Sequence, residues 1–285
     1  MRVMILGGAG MLGHKMCEVL SRRFDVYVTL RRSVATYSRY GIFDPARAIE
    51  GVDAFSFDSI VRAMANVKPQ VVINGIGAVK QLTASADPFI ALTVNALLPH
   101  RVAQLCRAVG ARFIQISTDC VFSGRKGNYT EEDESDATDP YGRTKFLGEV
   151  TGERCLTIRT SIIGRELGTD HGLVEWFLRQ KGGIVNGYTN AIFSGFTTQV
   201  LSEIIGQIIS QWPDLGGLYH VASRPIRKHD LLLLLRDAFD MDVEIRPSHE
   251  FVADRSLDGT KFSAATGFVP PEWRTMVWEL ARCES

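Results

Sequence analysis

The stretch "RVMILGGAGMLG", residues 2 to 13, constrains this chain more than any other. A largely apolar, β-prone run from Arg2 to Leu6 meets glycines at 7, 10 and 13, and a helical pattern then runs to about residue 22. Glycines spaced in this way let the backbone turn sharply and approach a pyrophosphate closely, and the free N–H groups of the following helix face its charge. Gly7, Gly10 and Gly13, with Met11 and Leu12 between the last two, are therefore expected to hold a dinucleotide cofactor. A glycine turn without a ligand is the simpler alternative, and the strand before it and the helix after it weigh against it.

The rest of the chain repeats this alternation. Short β-rich runs fall at 2–6, 25–30, 54–57, 70–74, 111–117 and 155–162, with helical patterns at 11–22, 59–66, 89–109 and 141–150. An α/β class follows, a Rossmann doubly wound parallel sheet with right-handed crossovers. The acidic segment 123–140 has no apolar period and reads as a long surface loop. Beyond residue 163 the pattern loosens. Helices are expected at 171–181, 198–211 and 229–239 and strands at 216–223 and 243–247, with Leu231 to Leu235 as core. The expected division is a dinucleotide-binding domain over 1–162, with 196–222 returning to it, and a smaller C-terminal substrate-binding lobe over 163–195 and 223–285.

The 32 basic and 32 acidic residues of the 285 cancel, so no long-range field draws the chain to nucleic acid or to an anionic membrane. Neither is an expected partner. Cys17, Cys106, Cys120, Cys155 and Cys283 are odd in number and contain no C-x-x-C pair, which fits thiols in a reducing cytoplasm better than disulfides or zinc. The apolar start is short and broken by glycines, unlike a signal peptide, and no run approaches about 18 uninterrupted apolar residues. A cytoplasmic location is expected.

At the end of the second strand no carboxylate stands between Val26 and Ser33 to take a ribose hydroxyl; Arg31 and Arg32 stand there instead. Guanidinium groups suit a 2′-phosphate, which favours NADPH over NADH. Asp58 is expected beside the adenine, Asn74 and Gly75 at the cofactor edge, and Ile116 among the cofactor contacts. The fifth strand delivers Thr118 and Asp119 to the carboxyl edge of the sheet. Tyr141 and Lys145, in "YGRTK", lie four apart, so a helix puts both on one face. An ammonium near a phenol favours the phenolate and makes tyrosine a usable acid or base. A Y-x-x-x-K alone arises by chance in roughly one in five chains of this composition. Following the glycine turn and a Thr-ended strand in the right order, it is a much rarer coincidence.

These motifs resemble the extended short-chain dehydrogenase/reductases, and among them the dTDP-4-dehydrorhamnose reductase family. The likeness runs through "GGAGMLG", "STDCVF", "YGRTKFLGE", "IRTSIIGRE" and "DRSLDGTKFSAATGFVPPEW". It implies a catalytic set of Thr118, Tyr141 and Lys145, with Asn95 supporting the lysine through a hydrogen-bond relay. It also implies sugar contacts from Thr118 and Asp119. The implied reaction is NADPH-dependent reduction of the C4 ketone of a nucleotide-linked 6-deoxyhexose. Cys120 and Ile162 stand where the family writes aromatic residues, so the sugar contacts, Ile162 among them, are expected to differ. Lys15 occupies the position of a glutamate that holds magnesium between subunits in some members, so no such metal site is expected. Homodimer formation stays open. Arg255 is a candidate for the substrate diphosphate or for an interlobe salt bridge. A nucleotide-sugar epimerase or dehydratase would use the same three residues without consuming its cofactor. A non-catalytic regulatory subunit would have no need of them.

Overall fold

The computed structural model describes residues 1–78 and 87–282, so Cys283 lies outside the described residues. Two compact units are formed: residues 1–117, 138–158 and 202–218 make the first, and 118–137, 159–201 and 219–285 the second.

The first unit is built on β1 (Arg2–Leu6), α1 (Met11–Leu20), β2 (Asp25–Thr29), β3 (Ala48–Ile49), α2 (Phe57–Val67) and β4 (Val71–Asn74). There follow α3 (Pro88–Ala108), β5 (Arg112–Ile116), α4 (Pro140–Leu147) and β6 (Cys155–Arg159). The seven-stranded sheet runs β3-β2-β1-β4-β5-β6 and ends on β10 (Gly217–His220). Its pairs from β3 to β6 are parallel. Strands covered on both faces should be continuously apolar, and Val3 to Leu6 and Val71 to Ile73 are all buried. The reversal of strand order beside β1 puts the glycine turn and the end of β4 at the switch point where such sheets take ligands.

The third strand departs from expectation. "AFSF" at 54–57 is not a strand; β3 is Ala48–Ile49, and Phe57 opens α2. An Asp53–Phe55 turn bond and a Ser59–Ser56 bond start the helix, which buries Ile60, Ala63, Met64 and Val67 at helical spacing. Helix α3 has a π-helical turn at Leu92–Leu97. By length and composition alone, with mean hydropathy 1.2, it could cross a membrane; 44% of that stretch is buried.

The second unit holds β7 (Ile162–Ile163) paired with β9 (Phe196–Thr197), and a three-stranded sheet of β11 (Ile226–Arg227), β8 (Ile184–Phe193) and β12 (Glu244–Asp254). Its helices are α5 (Leu173–Leu178), α7 (Lys228–Ala238), α8 (Thr260–Thr266) and α9 (Trp273–Arg282); α6 (Thr198–Ser210) runs from this unit into the first. The expected Leu231 core is present, with Leu231, Leu232 and Leu235 buried. Gly187 lets β8 lie against α7, because a Cβ there would meet His229 and Ile245. The segment 118–137 is more than surface loop. Val121, Phe122 and Tyr129 are buried with Ala222 and Leu257 in a small core of their own.

Candidate functional site

In the first unit the glycine turn is shaped by two different demands. Gly7 has φ +83°, a left-handed conformation that favours glycine. A Cβ on Gly13 would overlap the Gly7 carbonyl, so α1 can sit on the turn only with glycine there. Gly10, the N-cap of α1, is different: the nearest atom to a Cβ there would be the Gly7 carbonyl oxygen at 3.4 Å. The protein itself does not require that glycine, whereas a group lying against the helix start would. The first turn of α1 carries no acidic residue and Gly10 offers no capping side chain, so its N–H groups suit an anion. These residues fit a dinucleotide pyrophosphate.

Arg31 and Arg32 are exposed just beyond β2. The fold also brings in a carboxylate that sequence reasoning missed: Glu50 Oε1, next to β3, accepts from Ser33 Oγ at 3.0 Å and Val34 N at 2.7 Å. Asp58, expected after a strand, sits exposed in the first turn of α2, because β3 lies earlier in the chain. Asn74 ends β4, but its amide is engaged within the protein. Nδ2 donates to Gln115 Oε1 at 2.8 Å, and Oδ1 accepts from Ile76 N at 3.2 Å. Gly75 N donates to the Leu6 carbonyl, tying the end of β4 to the end of β1.

Tyr141 and Lys145 stand one turn apart on α4. Asp139 caps this helix by accepting from Gly142 N at 3.1 Å, and Pro140 fixes its first turn. Tyr141 is half-buried and Lys145 is 6% exposed. Lys145 Nζ donates to the Ile116 carbonyl at the end of β5, at 2.6 Å. Burial pushes the Lys145 ammonium down to about 8, against the opposing pull of the Glu149 carboxylate. Asn95, expected to support the lysine, reaches the residue before it. From the π-helical turn its Oδ1 accepts from Ala78 N at 2.8 Å, and its Nδ2 donates to the Ala78 carbonyl at 3.1 Å and to Thr144 Oγ1 at 3.3 Å. Gly148 allows this close packing of α4 on α3, since a Cβ there would overlap the Asn95 carbonyl.

In the second unit Thr118 and Asp119, the residues after Ser117, are both buried. Thr118 Oγ1 donates to Asp119 Oδ1 at 3.1 Å and accepts from Cys120 N at 3.1 Å. Burial raises the Asp119 carboxyl above its ordinary value, opposed by the Arg255 charge and by hydrogen bonds from Cys120, Thr118 and Ser161. Arg255 Nε donates to the Phe122 carbonyl at 2.9 Å. Arg255 and Asp119 belong to the same unit. Ile162, half-buried in β7, follows shortly after Thr160, whose carbonyl accepts from Asp119 N at 3.1 Å.

A second polar group went unread in the sequence. Arg159 Nη1 donates to His220 Nε2 at 3.2 Å, and His220 Nδ1 donates to the Tyr129 carbonyl at 3.0 Å, which fixes a neutral tautomer. The guanidinium lies 5.1 Å from the centre of the Phe122 ring, which stacks on Tyr129 at 4.1 Å. Burial and then the Arg159 charge push His220 down to about 4. Lys15 is paired with Glu18 at 2.7 Å. Among the described residues no three His, Cys, Asp or Glu side chains gather as a metal site.

The RmlD substrate binding domain family matches residues 1–283. A dTDP-4-dehydrorhamnose reductase of Streptomyces griseus is 34% identical over 149 residues, 52% of this chain but only 43% of that protein. The spore coat polysaccharide biosynthesis protein SpsK of Bacillus subtilis is 25% identical over 304 residues, 98% of this chain and 96% of that one. A dTDP-4-dehydrorhamnose reductase from Bacillus anthracis, solved in complex with NADP, shares the fold. Its TM-score is 0.81 at 23% identity, covering 100% of this chain and 99% of that one. A seven-stranded sheet with the glycine turn at its switch point, Tyr141 and Lys145 on one helix face, and a family match over nearly the whole length lead to one conclusion: the chain belongs to the RmlD substrate binding domain family, within the extended short-chain dehydrogenase/reductases.

Proposed function

We propose that this chain is an NADPH-dependent reductase of the C4 ketone of a nucleotide-linked 6-deoxyhexose, of the dTDP-4-dehydrorhamnose reductase type. The observation that carries the reading is the buried Lys145 ammonium one helical turn from Tyr141, held to the end of β5 by its bond to the Ile116 carbonyl. Bound NADPH would supply the hydride. Gly7, Gly10 and Gly13 would hold its pyrophosphate at the start of α1, and Arg31 and Arg32 its 2′-phosphate. Tyr141 would give its phenolic proton to the oxygen of the ketone as that oxygen gains negative charge. Lys145 would offset the charge left on the phenolate and bind the nicotinamide ribose. Thr118 would orient the reacting oxygen, with Asp119, Ile162 and Arg255 contributing to the hold on the substrate. The second unit then serves as the substrate lobe.

The reading is tested by offering the purified chain a panel of nucleotide 4-keto-6-deoxy sugars with NADPH and following loss of reduced-nicotinamide absorbance. One NADPH consumed per sugar reduced supports it. Sugar conversion without net NADPH loss would favour the epimerase or dehydratase alternative, and no conversion of any sugar would favour a non-catalytic role.

A further inference from the structure

Glu149 lies just past the end of α4, one turn beyond Lys145, and takes no part in the chemistry proposed above. Its Oε1 accepts from Ser117 Oγ at 2.7 Å, while Lys145 Nζ donates to the carbonyl of Ile116 at 2.6 Å. Two side chains four residues apart thus grip two successive residues where β5 ends. Ser117 is itself fixed, being 4% exposed and donating from its N–H to the Ile158 carbonyl at 2.7 Å. The path that brings Glu149 back to the strand runs through Gly148, pressed onto the Asn95 carbonyl.

We infer that Glu149 and Ser117 form a positioning pair for Lys145, in which the carboxylate, anchored by the Ser117 hydroxyl, supplies the counter-charge that keeps the buried ammonium protonated and in place. Beside that ammonium are the Ile116 carbonyl from β5 and, as an opposing charge, Glu149 from just past α4, with Tyr141 one turn earlier on the same helix. Of these, Glu149 is the charge that opposes the effect of burial. An ammonium taken out of water loses its proton more readily unless an opposite charge compensates. Glu149 therefore acts through Lys145 and is no catalytic residue. Its importance for turnover rests on the reductase reading, but its hold on the Lys145 proton does not.

The test measures both. Lys145 is titrated by NMR in full-length protein carrying lysine labelled at Cε, its resonance assigned with Lys145→Arg, while kcat and KM are measured with NADPH and a nucleotide 4-keto sugar. Glu149→Gln, which keeps shape and hydrogen-bonding capacity, should lower the Lys145 midpoint by at least ~0.5 pH unit. It should also reduce kcat about tenfold with KM for NADPH within about twofold. Ser117→Ala, which frees the carboxylate, should lower the midpoint in the same direction by at least ~0.2 unit and no further than Glu149→Gln does, and a wild-type midpoint in that variant removes Ser117 from the pair. An unchanged Lys145 midpoint in folded Glu149→Gln protein overturns the inference. Should that variant not fold, Glu149→Asp, which draws the carboxylate back by one methylene, decides in the same way. If wild-type protein reduces no sugar, the reductase reading fails and the titration still settles the coupling.

Discussion

Tyr141 is the residue at which chemistry and binding separate. Its replacement by Phe removes the proton donor of the proposed mechanism and little volume, so Tyr141→Phe should lower turnover at least ~10²-fold while the dissociation constant for NADPH stays within about twofold. Single-turnover kinetics with fluorescence titration of the cofactor check both numbers, and unaltered turnover would remove Tyr141 from the mechanism. Arg31→Ala with Arg32→Ala should raise KM for NADPH much more than KM for NADH; equal effects would discard the preference for the 2′-phosphate. His220 carries a different kind of prediction. Its folded value of about 4 lies below the ordinary 6.5, so the unfolded chain binds the proton first as pH falls. The stability it confers is complete above pH 6.5, declines as pH falls from there, and is gone below about 4, a loss of about 3 kcal/mol. Urea unfolding at a series of pH values should show that decline flattened in His220→Gln; an unchanged pH slope would contradict it.

Elements were legible in the sequence where their signal is local, and illegible where distant contacts decide. Helix α4 could be read from its helical pattern and the Tyr141–Lys145 spacing, and the cap from Asp139 and the first turn at Pro140 lie within a few residues of that pair. The apolar "AFSF" misled because its alternation suits a strand, while the start of α2 is set by turn bonds of Asp53 and Ser59. Strand β8 was hidden by its glycine, although Val185, Gly187, Ala191 and Phe193 are the buried residues along it, as a half-buried strand requires. The packing of α4 on α3 makes its own prediction. Gly148→Ala sets a methyl against the Asn95 carbonyl and should destabilise the first unit by about 1–3 kcal/mol. Leu235→Ala, in the buried face of α7, should cost the second unit about 2–5 kcal/mol. Chemical denaturation measures each, and losses below half a kilocalorie would refute the packing described.

At the scale of the whole molecule, the α/β class, the doubly wound parallel sheet and the family were readable because alternation and motif order survive without knowledge of contacts. The supporting network was not. Asn74 meets Gln115 across 41 positions, Ser117 meets Glu149 across 32 and Arg159 meets His220 across 61, and no local pattern announces such partners. Those contacts turn a list of motif residues into an arrangement with a charge and a proton to place. The central claim is that this arrangement passes a hydride to a sugar carbon while Tyr141 supplies the proton. The most direct measurement uses NADPH carrying deuterium at both C4 positions, with mass spectrometry and NMR of the sugar product. The account predicts one deuterium at sugar C4 for each NADPH oxidised; an unlabelled product formed with the cofactor left unconsumed would contradict it.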